Sequence, residues 1–207
     1  MDRIIENNQV TVVGTIASDF RFSHEVFGEK FYLFDLCARR HSGNTDLVPV
    51  MISERLISDD SNLVGLRVKV DGQFRSFNRH GENGNRLMLD VFVRDIEELD
   101  DRQSDLDINN IELDGFICKE STYRETPLGR EIADVLIAVN RVYGKSDYIP
   151  CIAWGRNAKY VSGLNIGTHI HIHGRIQSRQ YEKKISETES ETRIAYEVSV
   201  SKISVVE

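Results

Sequence analysis

Several scarcities narrow what this chain of 207 residues can be. No apolar run approaches the roughly 20 residues that a membrane-spanning helix needs, and the opening MDRIIENNQV holds no apolar core of a secretory signal. A cytoplasmic protein without membrane attachment is therefore expected. Cysteine occurs only at Cys37, Cys118 and Cys151. Three cannot all pair within one chain, and none has the close spacing of a metal site. Each lies in a strand-like run and reads as a small buried hydrophobe. Also missing are a phosphate-binding glycine loop, a clustered carboxylate pair and a nucleophile with a positioned base, so neither an enzyme nor a cofactor is expected. Gly81 and Gly84 in HGENGN read as a hairpin loop.

Basic excess is absent as well. There are 26 Lys and Arg against 33 Asp and Glu, a net charge of −7, which argues at first against a nucleic-acid partner. The distribution changes that reading. Residues 1–103 hold 13 basic and 18 acidic groups, whereas residues 104–207 hold 13 and 15. Much of the acidity sits in DIEELDDRQSDLD, 95–107, and the nearly neutral second half leaves room for a local basic groove.

What is present is a repeat. At an offset of 101 residues Gly14 falls on Gly115, Gly28 on Gly129, Ala38 on Val139, Arg40 on Arg141 and Pro49 on Pro150. One further inserted residue aligns Gly65 with Gly167, Gly72 with Gly174 and Ser76 with Ser178. This order implies duplication of one domain. The expected units are 1–98 and 109–207, joined by an acidic linker at 99–108. Each half reads as the same series of strands: 8–18 and 109–119, 30–40 and 130–141, 46–53 and 147–154, 66–77 and 168–181, 86–99 and 192–206. The third strand of each half contains a proline, which belongs at an edge or bulge. RNAKYVSGL (156–164) has a short helical pattern, and ERLISDDSNLV (54–64) is a poorer version of it. Five strands with a helix between the third and fourth is the order of an OB-fold. The fold class expected is all-β: two tandem OB-fold five-stranded Greek-key barrels, each with one short helix between strands 3 and 4.

The segment YIPCIAWGR, 148–156, carries the one tryptophan. Alternation buries Ile149, Cys151 and Ala153, which leaves Tyr148, Pro150, Ile152 and Trp154 on a face too apolar for water alone. Aromatics alternate with basic groups in Tyr143-x-Lys145, Trp154-x-Arg156 and Arg179-x-Tyr181. A protein that stacks bases and neutralises phosphates needs that mixture.

The second half resembles the bacterial single-stranded DNA-binding protein family. The resemblance is carried by NNIELDGFICKESTYRETPLGREIADVLIAVNR, DYIPCIAWGRNAKYV and GTHIHIHGRIQSRQYEKK. These fit the family's AVNR second strand, its (Y/W)xPxxxWG third strand and its GxxxxRxY fourth strand. The first half resembles the family through its framework. The resemblance implies an OB-fold that binds single-stranded DNA in support of replication, recombination or repair. It places stacking positions at Tyr143, Tyr148, Trp154 and Tyr181, and basic positions at Arg141, Arg156, Arg175 and Arg179. Two domains per chain imply a homodimer with four OB-folds, and replication or repair proteins as further partners. A module that holds other proteins is the alternative.

Through the repeat, the four stacking positions map back to Ser42, Leu47, Ser53 and Arg79. None is aromatic, so the first half is expected to have a degenerate stacking surface and the second to dominate binding. Arg39, Arg40, Arg75 and Arg79 remain there for phosphates, and Phe74 and Phe77 are candidate substitutes for the lost aromatics. Finally, His169, His171 and His173 alternate on one face of a strand. At about 7 Å between successive same-face residues, all three cannot reach one ion without a bulge. They are read as solvent-side or interface residues, and no metal is expected.

Overall fold

The computed structural model describes residues 6–40, 42–57, 63–81, 84–100, 107–184 and 190–206. Among them the first half supplies β1 (Asn8–Ile16), β2 (Arg21–Val26), β3 (Glu29–Arg39), β4 (Thr45–Ser53), β5 (Arg67–Gly81) and β6 (Gly84–Glu98). The second supplies β7 (Ile108–Ile117), β8 (Thr122–Glu125), β9 (Glu131–Asn140), β10 (Ser146–Trp154), α1 (Arg156–Ser162), β11 (His169–Lys184) and β12 (Ser190–Val205). No helix among the described residues is long and apolar enough to cross a membrane.

Pairing closes each half on itself. β1 lies between β5 and β3, β3 pairs with β4, β4 runs parallel to β6, and β6 returns to β5. The second half repeats the circuit through β7, β9, β10, β12 and β11. These are two five-stranded OB barrels, as the strand order predicts. Each carries one strand more than expected, a short exposed ribbon, β2 or β8, hydrogen-bonded to the free edge of β3 or β9. The expected helix forms in the second half as α1. In the first half it is reduced to a single 3-10 turn, Glu54–Leu56; residues 58–62 of that expectation lie outside the described residues.

The two barrels share a seam. β1 and β7 pair antiparallel from Asn8 opposite Leu113 to Val13 opposite Ile108, so all twelve strands form one continuous sheet. Past the seam each strand turns to its own barrel: Thr15 and Ile16 pair with β3, Phe116 and Ile117 with β9. Gly115 sits at that changeover, where an added Cβ would lie 2.6 Å from the Ala138 carbonyl oxygen. Only glycine lets the two backbones approach so closely, and Gly14 meets Cys37 in the same way. One contiguous apolar cluster fills both barrels, with Phe34, Leu36, Phe74, Ile111, Leu113, Ile137, Ile149 and Ile172 essentially sealed from water. Cys151 is buried, and loss of hydration pushes its thiol pKa well up, which suits an inert packing role.

Polar contacts lock the seam from the sides. Asp147, in β10, has a side chain only 2% exposed and accepts from the Arg141 guanidinium. It also accepts from the backbone N–H of Ser76 in the other barrel at 2.6 Å. The Ser76 hydroxyl accepts from the Tyr148 N–H at 2.8 Å, and its carbonyl accepts from Arg141 at 3.1 Å. On the related side Asp46 pairs with Arg40, and Arg175 of the second barrel comes within 3.8 Å. Asp107, the last residue of the acidic run, is buried against Arg67; residues 101–106 lie outside the described residues.

Candidate nucleic-acid interface

The register of three adjacent strands builds one polar and aromatic strip on the second barrel. β10 runs beside β12, and β12 pairs with β11 so that Arg175 faces Ser199, Gln177 faces Glu197 and Tyr181 faces Arg193. Alternation puts Arg175, Gln177, Arg179 and Tyr181 on the face that holds Ser199. Trp154 joins them there, its indole N–H donating to Ser199 Oγ at 3.2 Å. Within the strip, Gln177 donates to Glu197 at 2.8 Å and both are buried. The groove beside Trp154 is lined by Arg40, Arg130, Arg175, Gln177, Ser178, Arg179 and Ser199. On its other side a second depression is lined by Trp154, Arg156, Asn157 and Tyr160. A chain with net charge −7 thus brings five arginines around one indole.

The arginines are not equally available. Arg175 is half-buried; loss of hydration and the neighbouring positive charge of Arg40 lower its pKa. Its Nε is buried without a hydrogen-bond partner, and the Asp46 oxygen at 3.8 Å is too distant to accept from it. An oxyanion would relieve both conditions. Arg179 is exposed, 3.7 Å from Glu197, and Arg156 and Arg130 are exposed. Arg141 is committed elsewhere. Its guanidinium is engaged by Asp147 and by the Ser76 carbonyl, and the Asp147 contact raises its pKa.

The aromatic positions also differ. Trp154 is partly buried, with one side against Ser199. Tyr148 is 49% exposed and Tyr181 37% exposed, both attached to rigid strands. Tyr143 is 93% exposed in a 3-10 turn, with a positive φ of 62°, and Lys145 follows it at the surface. The structure therefore gathers Trp154, Tyr181, Arg175 and Arg179 on one strip, with Arg156 at its edge. Tyr143 and Lys145 stand on the turn before β10, and Arg141 faces the seam.

The first barrel holds a rearranged version of the same strip. Ser53 occupies the place of Trp154, yet Phe92 occupies the place of Ser199, so the large and small members of the pair are exchanged. The Phe92 ring lies 5.8 Å from Phe31 and receives the Arg75 guanidinium at 4.1 Å, a cation–π contact. His24 stacks on Phe31 at 5.0 Å. Along β5 the series reads Gln73, Arg75, Phe77, Arg79, where β11 reads Arg175, Gln177, Arg179, Tyr181. Each series holds one aromatic, one glutamine and two arginines in a different order. Phe77 is 39% exposed, whereas Phe74 is fully buried and is core. Sequence comparison missed Phe92, and it missed Arg130 and the entry of Arg40 into the opposite groove. The acidic counterpart of Arg130 is Glu29, hydrogen-bonded to Ser53 and paired with Arg55, so the first strip is less positive.

Comparison with known proteins agrees with this architecture. Residues 108–205 match the model of the Single-strand binding protein family. Single-stranded DNA-binding protein 1 of Staphylococcus aureus is 34% identical over 84 residues, 37% of this chain and 50% of that protein. Single-stranded DNA-binding protein A of Bacillus subtilis is 33% identical over 84 residues, 37% of this chain and 49% of that protein. The chain thus spans about half the length of the curated relatives it matches. The single-stranded DNA-binding protein of Thermus aquaticus superposes with a TM-score of 0.75 at 20% identity, over 97% of this chain and 93% of that one. That likeness extends the shared fold to both barrels.

Proposed function

We propose, for a chain whose residues 108–205 match the model of the Single-strand binding protein family, that it binds single-stranded DNA without regard to sequence and without a chemical step. Bases stack on Trp154 and Tyr181, with Tyr148 and Tyr143 extending the track toward the turn before β10. Phosphates lie against Arg175, Arg179, Arg156 and Arg130, with Lys145 beside Tyr143. The observation that carries the reading is the strip itself: an indole flanked by arginines, one of which holds a buried N–H without an acceptor. Exposed aromatics accept any base at roughly 1–3 kcal/mol each, and phosphate neutralisation adds affinity that falls with salt.

The first barrel takes part through Phe92, Phe77, Arg75 and Arg79, which replace the missing Trp and Tyr by exchanging positions. Its share is smaller, because Glu29 stands where the second barrel has Arg130. The seam places both barrels in one chain, and a homodimer would present four. The likeness to that family supports a role in replication, recombination or repair in the cytoplasm, alongside proteins of those processes.

Fluorescence tests the reading directly, since Trp154 is the chain's one indole. Titration with oligo-dT should quench its emission, and added salt should restore it. Unchanged emission together with an unshifted band in a gel would overturn it, and would favour a module that holds other proteins.

A further inference from the structure

The outer face of the seam carries a cluster that DNA binding does not use. Its members are cross-strand neighbours of β7 and β11: His173 lies opposite Glu112, His171 opposite Asp114 and His169 opposite Phe116. The fourth strand is bulged immediately after His173, where the register shifts between His173 and Gly174. His171 Nε2 and His173 Nε2 point at each other across 3.0 Å. Carboxylates stand behind the rings, with Glu112 Oε1 3.3 Å from His173 Nδ1 and Asp114 Oδ2 3.8 Å from His171 Nδ1. The other Asp114 oxygen bonds His169 Nε2 at 2.5 Å, and the His169 ring stacks on Phe116 at 4.5 Å.

We propose that His171 and His173, with Glu112, form a binding site for a divalent transition-metal ion of the zinc type. A metal ion takes the lone pair of each Nε2 and leaves each ring's proton on Nδ1. Two such lone pairs 3.0 Å apart repel unless something positive lies between them. A tetrahedral ion with Zn–N bonds of about 2.0–2.1 Å would hold the two nitrogens about 3.3 Å apart, within a few tenths of an ångström of what is found. Glu112 supplies the third ligand, since ligand atoms of all three residues lie within 4.8 Å of one another. It is half-exposed and can turn without disturbing the core. Asp114, held by His169, stands on the Nδ1 side of the His171 ring. The alternation of three histidines excluded one ion for all three; the structure brings two together and uses the third as a brace. Imidazole with carboxylate suits zinc, nickel, cobalt or copper rather than magnesium or calcium.

The test uses the full chain, without a histidine tag and stripped by chelator, titrated with Co2+ and then with Zn2+. The expected result is visible d–d absorption saturating at one Co2+ per chain and displaced by Zn2+. His171→Ala with His173→Ala should abolish it, Glu112→Gln should weaken it about 10- to 100-fold, and His24→Ala in the other barrel should leave it intact. Circular dichroism and Trp154 emission show that the variants fold. Absence of d–d bands, or Co2+ binding that survives the double substitution, would overturn the site and reduce the pair to a simple N–H···N contact.

Discussion

Trp154 and Ser199 are joined across β10 and β12 by an indole N–H donating at 3.2 Å, and the same two places in the other barrel hold Ser53 and Phe92. The pair keeps its combined bulk while the aromatic moves from one strand to the next. Phe92→Ala and Trp154→Ala should therefore both weaken binding of oligo-dT, each by roughly 5- to 150-fold if a stacked base contributes about 1–3 kcal/mol. Filter binding at fixed salt measures this. No change in affinity or site size for Phe92→Ala would remove the first barrel from the track.

The arginines divide into two groups with different readouts. Arg175→Ala and Arg179→Ala should each reduce the dependence of log K on log salt by about one. Arg141→Ala should leave that slope alone, because its guanidinium faces Asp147 and Ser76. Equal slopes for all three variants would contradict the division.

Arg141→Ala has its cost in stability. It leaves the Asp147 carboxylate, 2% exposed, without its cation, and loss of one partner of a buried pair costs about 3–5 kcal/mol. Partial exposure of Arg141 puts the expected value toward the low end. Thermal unfolding should show a lowered Tm for Arg141→Ala, partly recovered when Asp147→Asn is added.

Asp90 gives a pH dependence with a defined sign. Burial pushes its carboxyl up to about 7, against the opposing charge of Arg75. The folded state then holds a proton that the unfolded chain has released, so this group's contribution is fully present below the ordinary carboxylate range near 4. It is lost as pH rises toward 7, at up to about 1.4 kcal/mol per pH unit. Asp90→Asn should be more stable than the parent at pH 8, with the gap closing as pH falls to 5. Parallel stability curves for the two proteins would contradict the shift.

The fold was legible wherever a residue type was forced by backbone geometry. Gly14 and Gly115 recur because a Cβ would strike the next strand, and Gly72 and Gly174 because they meet Phe92 and Ser199. Those contacts made the repeat, and through it both barrels, readable. The ribbons were not legible: RFSHEV and TYRE are exposed almost throughout and show no apolar alternation. The exchange of Trp154 with Phe92 was hidden by chain length. Phe92 and Ser199 are 107 residues apart (199 − 92), beyond the offset of 101 that relates Ser53 to Trp154, because the second hairpin is longer. The commitment of Arg141 was hidden for a different reason, since its partner Ser76 lies in the other barrel.

The antiparallel pairing of β1 with β7 joins two barrels that share a backbone. Its formation is unimolecular, so dilution cannot separate the barrels as it separates subunits held by the same hydrogen bonds. A strand edge that would otherwise be open to any stray chain is permanently claimed. Two copies within one chain are also free to differ. The first carries its aromatic on β6 as Phe92 and has Glu29, while the second carries Trp154 on β10 and has Arg130, a difference that a symmetric pair encoded by one sequence cannot show.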